Sequence, residues 1–224
     1  MTSIPASTMV SRGIKHRLLA FSLLFCQMFS LAAQSLQEGD LLFCCSDTPN
    51  AITAVTVGVD ALPIDHVAIV HRIGSEKGLL YVIEAKKPAV CLTPIDAFCR
   101  ENPQTLVGRV NVDVDIRESI RRCLMQVGKP YDDLYLYGDS AIYCSELVQL
   151  NYVDSSGNLI FEPVPMSFHD ESGQVTDHWH EFYANRGLAV PEGAPGSNPG
   201  ELSRRSQVSI LCHLSQLLPN KKSR

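Results

Sequence analysis

The order of elements written into this chain predicts an α+β fold, and three observations carry that prediction. Residues 65–72 form an apolar, β-branched run that returns at 79–85 across a glycine-bounded turn, the pattern of an antiparallel hairpin. Ile116, Ile120, Cys123, Leu124 and Val127 recur at helical spacing. A second helical pattern starts at Cys144, in Ile142-Tyr143-Cys144-Ser145-Glu146-Leu147-Val148. With 224 residues, 45% of them hydrophobic and 19% charged, the chain can fill the core of one globular domain.

Residues 1–35 read as a secretion signal. Arg12, Lys15 and Arg17 make a basic start, 18–31 is apolar with small breaks, and Ala32-Ala33-Gln34-Ser35 offers small residues for cleavage. The apolar run is too short and poorly flanked to span a membrane. The expectation is an exported protein, periplasmic or secreted, with no stable membrane insertion once the signal is removed. The signal carries only basic charges, so the remainder is more acidic than the −5 of the whole chain. That balance disfavours anionic membrane surfaces. No basic stripe with interleaved aromatics occurs, which excludes a nucleic-acid partner. Seven of the eight cysteines lie beyond the signal, so an exported monomer keeps at least one unpaired thiol. No CxxC pair occurs, and no metal or other cofactor is expected.

One domain is expected over 36–224. Leu36 to Phe43 reads as a turn and a strand, whereas 48–62 mixes small, β-branched and turn residues and yields no firm element. After the hairpin, Thr93-Pro94-Ile95-Asp96-Ala97-Phe98 predicts a short helix with a threonine cap and proline in its first turn. A third strand covers 106–110. Asp115 with Glu118 forms an acidic capping box for the next helix, which Gly128 ends and Pro130 blocks. The aromatic, acidic loop at 131–138, with Asp132, Asp133 and Tyr135, either shapes a cleft or stands in solvent. On the following helix Cys144, Leu147, Val148 and Asn151 share a core-facing stripe. His178 and His180, read as one face of a strand, lack a third metal ligand and suit a surface or groove wall around the lone Trp179. Residues 191–200 predict a rigid irregular loop, Arg204-Arg205 a solvated pair and 208–218 a C-terminal helix. Cys91, Cys99 and Cys123, in apolar contexts, are expected as small buried side chains.

Cys144 is the thiol best placed for chemistry. A cysteine at a helix start meets the positive end of the helix dipole, which favours thiolate. A thiol nucleophile also needs a base, and the base needs an orienting group. His66 and His71 lie five residues apart on the first hairpin strand and face opposite sides. The position of the turn makes His66 and Glu84 direct or near cross-strand neighbours on one face. Glu84 follows three apolar residues, an odd place for a carboxylate without a partner. A carboxylate on one imidazole nitrogen fixes the tautomer and leaves the other nitrogen for the thiol.

Asp65-His66-Val67-Ala68-Ile69-Val70, Val82-Ile83-Glu84-Ala85 and Tyr143-Cys144-Ser145-Glu146-Leu147-Val148 together resemble the YiiX and YebB type of cysteine hydrolase. These are circularly permuted relatives of the NlpC-type cell-wall peptidases, in the papain-like superfamily. Histidine preceding cysteine matches the permuted order. Gly39-Asp40, Gly128-Lys129-Pro130-Tyr131-Asp132 and 191–200 also look like that family, over about residues 36–210. The resemblance implies a permuted papain-like fold, with an antiparallel sheet packed against the helix that carries the nucleophile. It implies a Cys144–His66–Glu84 triad acting on a small peptide, an amino-acid amide or an acyl substrate. Tyr143, Asp65 and Ser145, which flank the pair, are expected to touch substrate. NlpC peptidases usually carry aspartate where Tyr143 stands, so their peptidoglycan specificity does not transfer directly. The expected activity is hydrolysis of an amide bond in small cell-envelope peptides. Acyl transfer or lipid hydrolysis by the same triad, and a silent ligand-binding module, are the alternatives.

Overall fold

Continuous apolar runs, rather than alternating ones, mark the two central strands. Strand β1 (Leu41–Cys45) and strand β2 (Ile64–Ile73) bury Leu41, Leu42, Phe43, Val67, Ala68, Ile69 and Val70 completely, so both faces of the sheet are covered here. The computed structural model describes residues 35–218, apart from 75–77 and 139. The signal assigned to 1–35 (save Ser35), residues 219–224 and the tip of the hairpin turn lie outside the described residues. Two units divide the chain, Met1–Leu36 and Gln37–Arg224, and the fold is that of the second.

Strands β3 (Leu79–Lys86), β4 (Ala89–Pro94), β5 (Thr105–Val110) and β8 (Val208–His213) complete a six-stranded sheet in the order β4-β3-β2-β1-β5-β8. Every neighbouring pair is antiparallel. A second, two-stranded sheet pairs β6 (Val164–Pro165) with β7 (Pro195–Gly196). Gly108 lets β5 lie close to its neighbours. A Cβ there would meet Phe43 Cε2 at 2.6 Å and Val208 Cγ1 at 3.0 Å. The guanidinium of Arg109 on β5 donates to both oxygens of buried Asp40, at 2.7 and 2.8 Å, locking the entry to β1.

Five helices are described: α1 (Ile95–Glu101), α2 (Ile116–Met125), α3 (Cys144–Gln149), α4 (Asp177–Ala184) and α5 (Pro199–Ser203). Asp115 caps α2 by accepting the Glu118 N–H at 2.9 Å. Only half of the capping box forms, because the Asp115 N–H is spent on the Val153 carbonyl and the Glu118 carboxylate turns to Arg121 and Arg122. All six residues of α3 are buried, so the helix is enclosed all round instead of showing one core-facing stripe.

Several expectations are corrected. Thr93 does not cap a helix; it lies within β4, and α1 is capped at Pro94 without a side-chain hydrogen bond. Residues 208–213 form strand β8, followed by a short 3-10 helix at Leu214–Gln216, in place of a C-terminal helix. A short apolar run fits both periods, and pairing with β5 decides it. The loop at 191–200 contains β7 and opens α5, where the Asn198 side chain accepts the Glu201 N–H at 2.6 Å and Pro199 occupies the first turn. His178 and His180 sit on α4, where a two-residue spacing points side chains apart. Arg205 is not a solvated residue: it is half-buried and bonds Glu201 at 2.6 Å. Cys123 is buried, but Cys91 and Cys99 are only half-buried.

Candidate active site

The hairpin register brings His66 and Glu84 together. Ile69 pairs with Ile83 and Val70 with Val82, so His66 is the diagonal neighbour of Glu84 on the same face. His66 Nε2 lies 2.9 Å from Glu84 Oε2. Glu84 is 1% exposed, and its other oxygen accepts from the Thr93 hydroxyl and, at 2.9 Å, from Lys86 Nζ. Lys86 in turn reaches Glu101 at 3.0 Å. Burial alone would raise the Glu84 pKa. Its hydrogen bonds to His66, Thr93 and Lys86 outweigh that and hold it at about 2. Burial would likewise discharge His66, yet hydrogen bonds to Cys144 and Glu84, and their negative charge, raise it to about 10. With Nε2 committed to Glu84, Nδ1 is the nitrogen left for Cys144.

Cys144 opens α3. Tyr143 is extended (φ −102°, ψ 173°), and its carbonyl accepts the Leu147 N–H at 3.0 Å as the first helical bond. The preceding turn is tied at Ile142, whose N–H donates to the Pro130 carbonyl at 3.0 Å. Buried Glu146 accepts the Gly138 N–H at 2.8 Å, and burial lifts its pKa to about 7. All seven described cysteines are free. Burial pushes up the thiols of Cys44, Cys45, Cys99, Cys123 and Cys212, with Cys123 reaching about 12. Burial thus disfavours the reactive thiolate at each of these five positions. Cys144 is the one thiol that, with Glu84, helps raise the pKa of His66.

Two openings flank the pair. On the thiol side a narrow pocket is lined by Cys144, Ser145, Asp65, Tyr143, Met166 and Phe168, among others. On the imidazole side a groove is lined by His66, Lys86, Lys87, Asp133, His178 and Phe182. Ile52, Tyr131, Tyr135 and Trp179 border both. Tyr135 holds φ at +52° in the left-handed region, with its ring edge-on to Tyr143 (5.4 Å) and Trp179 (5.7 Å). Buried Asp132 fixes this loop by accepting the Leu134 and Leu136 N–H groups at 2.7 and 2.6 Å.

The three residues expected to touch substrate all line the thiol-side pocket. The Tyr143 hydroxyl accepts the Ser197 N–H at 3.0 Å and so braces the pocket wall. Asp65 accepts from Asn50 Nδ2 at 2.6 Å. Ser145 is fully buried, and its hydroxyl has no hydrogen-bond partner among the described residues. Sequence reasoning missed Asn50, Met166 and Phe168; Asn50 stands more than a hundred residues from the other two, and none carries a motif. It also missed Lys86 and Thr93 beside Glu84. A second apolar run, Ala89-Val90-Cys91-Leu92, resuming after Lys86-Lys87-Pro88, was the available signal for β4.

A histidine on a strand, bonded to a buried carboxylate and set beside a cysteine that opens a helix, defines the papain-like class of thiol hydrolase folds. Residues 35–202 match the family described as permuted papain-like amidase enzyme, YaeF/YiiX, C92 family, and the chain belongs to that family. It is also similar to a solved structure described as metalloprotein yiiX from Escherichia coli O157:H7, with a TM-score of 0.64 at 22% identity over 80% of this chain and 98% of that one. No curated protein matches the chain.

Proposed function

We propose that this amidase-family protein is an exported thiol amidase or peptidase that cleaves small peptides or amino-acid amides, with Cys144 as nucleophile, His66 as acid–base and Glu84 as the group that orients His66. One observation carries the reading: His66 is held through Nε2 by buried Glu84 while its other nitrogen is left for Cys144. Export is supported by the composition of residues 1–35.

Cys144 Sγ, as thiolate, adds to the carbonyl carbon of the scissile amide, and the oxygen takes up the negative charge. The Cys144 N–H, at the first position of α3, has no acceptor within the helix and is suited to receive that charge. One such donor contributes roughly 3 kcal/mol of transition-state stabilisation. Protonated His66 gives its proton to the departing nitrogen as the C–N bond breaks, leaving a thioester on Cys144. His66 then removes a proton from water, whose oxygen attacks the thioester. The acid leaves, and the thiolate–imidazolium pair is restored. Among the described residues no group of three or more His, Cys, Asp or Glu side chains is placed to hold a metal ion. The residues do not fit the metal implied by the relative's description, and no step is routed through one.

The test is a Cys144→Ala variant assayed on a panel of peptide, ester and acyl-amine substrates. The expected result is loss of turnover on every substrate that the wild type cleaves. Activity equal to wild type overturns the assignment.

A further inference from the structure

The two openings that flank Cys144 and His66 differ in size. The thiol-side pocket has a cavity volume of about 30 Å³, whereas the imidazole-side groove has about 380 Å³. The smaller figure is room for roughly two waters. Its walls are set by neighbouring structure. Met166 is 8% exposed, its N–H is held by the Ala194 carbonyl at 2.8 Å, and its side chain lies against Gly196, where a Cβ would meet Met166 Cγ at 2.6 Å. Phe168, Tyr143 and Trp179 are each buried. The groove is open and mixed in character. It offers the rings of Tyr131, Tyr135, Trp179 and Phe182, with the Lys87–Asp133 ion pair (2.6 Å) at its edge.

Chemistry assigns a side to each half of the substrate, given the amidase reading above, on which this inference rests. The acyl half stays on Cys144 Sγ when the C–N bond breaks. The amine half takes its proton from His66 and leaves past the imidazole. The pocket that holds Cys144 without His66 is therefore the acyl side, and the groove that holds His66 without Cys144 is the amine side. We infer that the preferred substrate is a short-chain N-acyl derivative of a larger, peptide-sized amine, with Met166 setting the acyl length. Aromatic faces and paired charges in the groove suit the rings and polar groups of a peptide.

The test uses one dipeptide amide, Tyr-Lys amide, acylated at its α-amino group with acetyl, butyryl or octanoyl. Release of the free amine is followed by mass spectrometry, beside the rate at which iodoacetamide labels Cys144. The acetyl substrate should exceed the octanoyl one by at least about tenfold in kcat/KM, and acetyl-methylamide should fall below acetyl-Tyr-Lys amide by a similar factor. Met166→Ala, with the milder Val55→Ala, another residue lining the thiol-side pocket, as a second variant, should raise the octanoyl-to-acetyl ratio about tenfold. A fast-labelling Cys144 with the chain-length order absent or reversed overturns the pocket assignment and leaves the amidase reading standing. So does a fast-labelling Cys144 with no short-acyl substrate cleaved, or a ratio unmoved in both variants. A Cys144 that labels like a free thiol, with no substrate cleaved, overturns both.

Discussion

His66 is held in its charged form by partners on both sides. Its pKa is raised from 6.5 to about 10, so the stability it gains from Glu84 and Cys144 is complete below about pH 6.5 and is lost as pH rises through about 10. Glu84 has the opposite sign: lowered from 4.5 to about 2, it contributes above about pH 4.5 and loses that contribution as pH falls through about 2. On the proposed mechanism, the proton that His66 gives to the leaving amine is therefore available across the neutral range. The kcat/KM profile should fall on an alkaline limb near pH 10. Glu84→Gln removes one of the charges that raise His66, so its limb should move to lower pH; a pH–rate profile with the limb unmoved would contradict the role given to Glu84. This pairing was legible before the structure, because a hairpin of known turn position makes the two residues near neighbours across the strands. The supporting contacts were not. Thr93 reads equally well as a helix cap, and only the presence of β4 turns its hydroxyl to Glu84.

At the scale of elements, the close approach of β1, β5 and β8 depends on an absent side chain. Gly108→Ala puts a methyl within 2.6 Å of Phe43, and the strands must move apart. The expected cost is about 1–3 kcal/mol, read by urea denaturation, with full stability as the contrary result. Such contacts explain which elements the sequence disclosed. Strands β1, β2, β3 and β5 and helix α2 announced themselves through apolar runs, a hairpin turn and a cap. Strand β8 did not, since Val208 to Cys212 suits either period until β5 offers it hydrogen bonds. Helix α5 carried a legible signal in Asn198-Pro199, an N-cap followed by proline, which was hidden among the prolines and glycines around it. The histidines flanking Trp179 were read at strand period, and α4 separates them; His178 instead stacks on Phe182, at 22° between planes.

For the molecule as a whole, the sheet holds His66 and Glu84, while a buried helix and the loops before it hold Cys144. The fold class was legible because strand and helix patterns were segregated along the chain. The pocket was not, because its walls come from segments more than a hundred residues apart, such as Ile52 and Met166. The lock between Asp40 and Arg109 belongs to this scale, since it fixes the sheet far from the thiol in sequence. Asp40→Ala leaves Arg109 without its buried partner and should cost roughly 3 kcal/mol, a drop in Tm of about 6–12 °C by calorimetry. An unchanged Tm would remove the ion pair from the account of stability. The central claim, that His66 activates Cys144, is tested most directly by the rate at which iodoacetamide labels Cys144 at neutral pH, resolved by peptide mapping, in wild type and in His66→Ala. Labelling faster than a free model thiol, and slowed about tenfold or more by His66→Ala, is the expected result. Labelling at the rate of a free thiol, unaffected by the loss of His66, would contradict it.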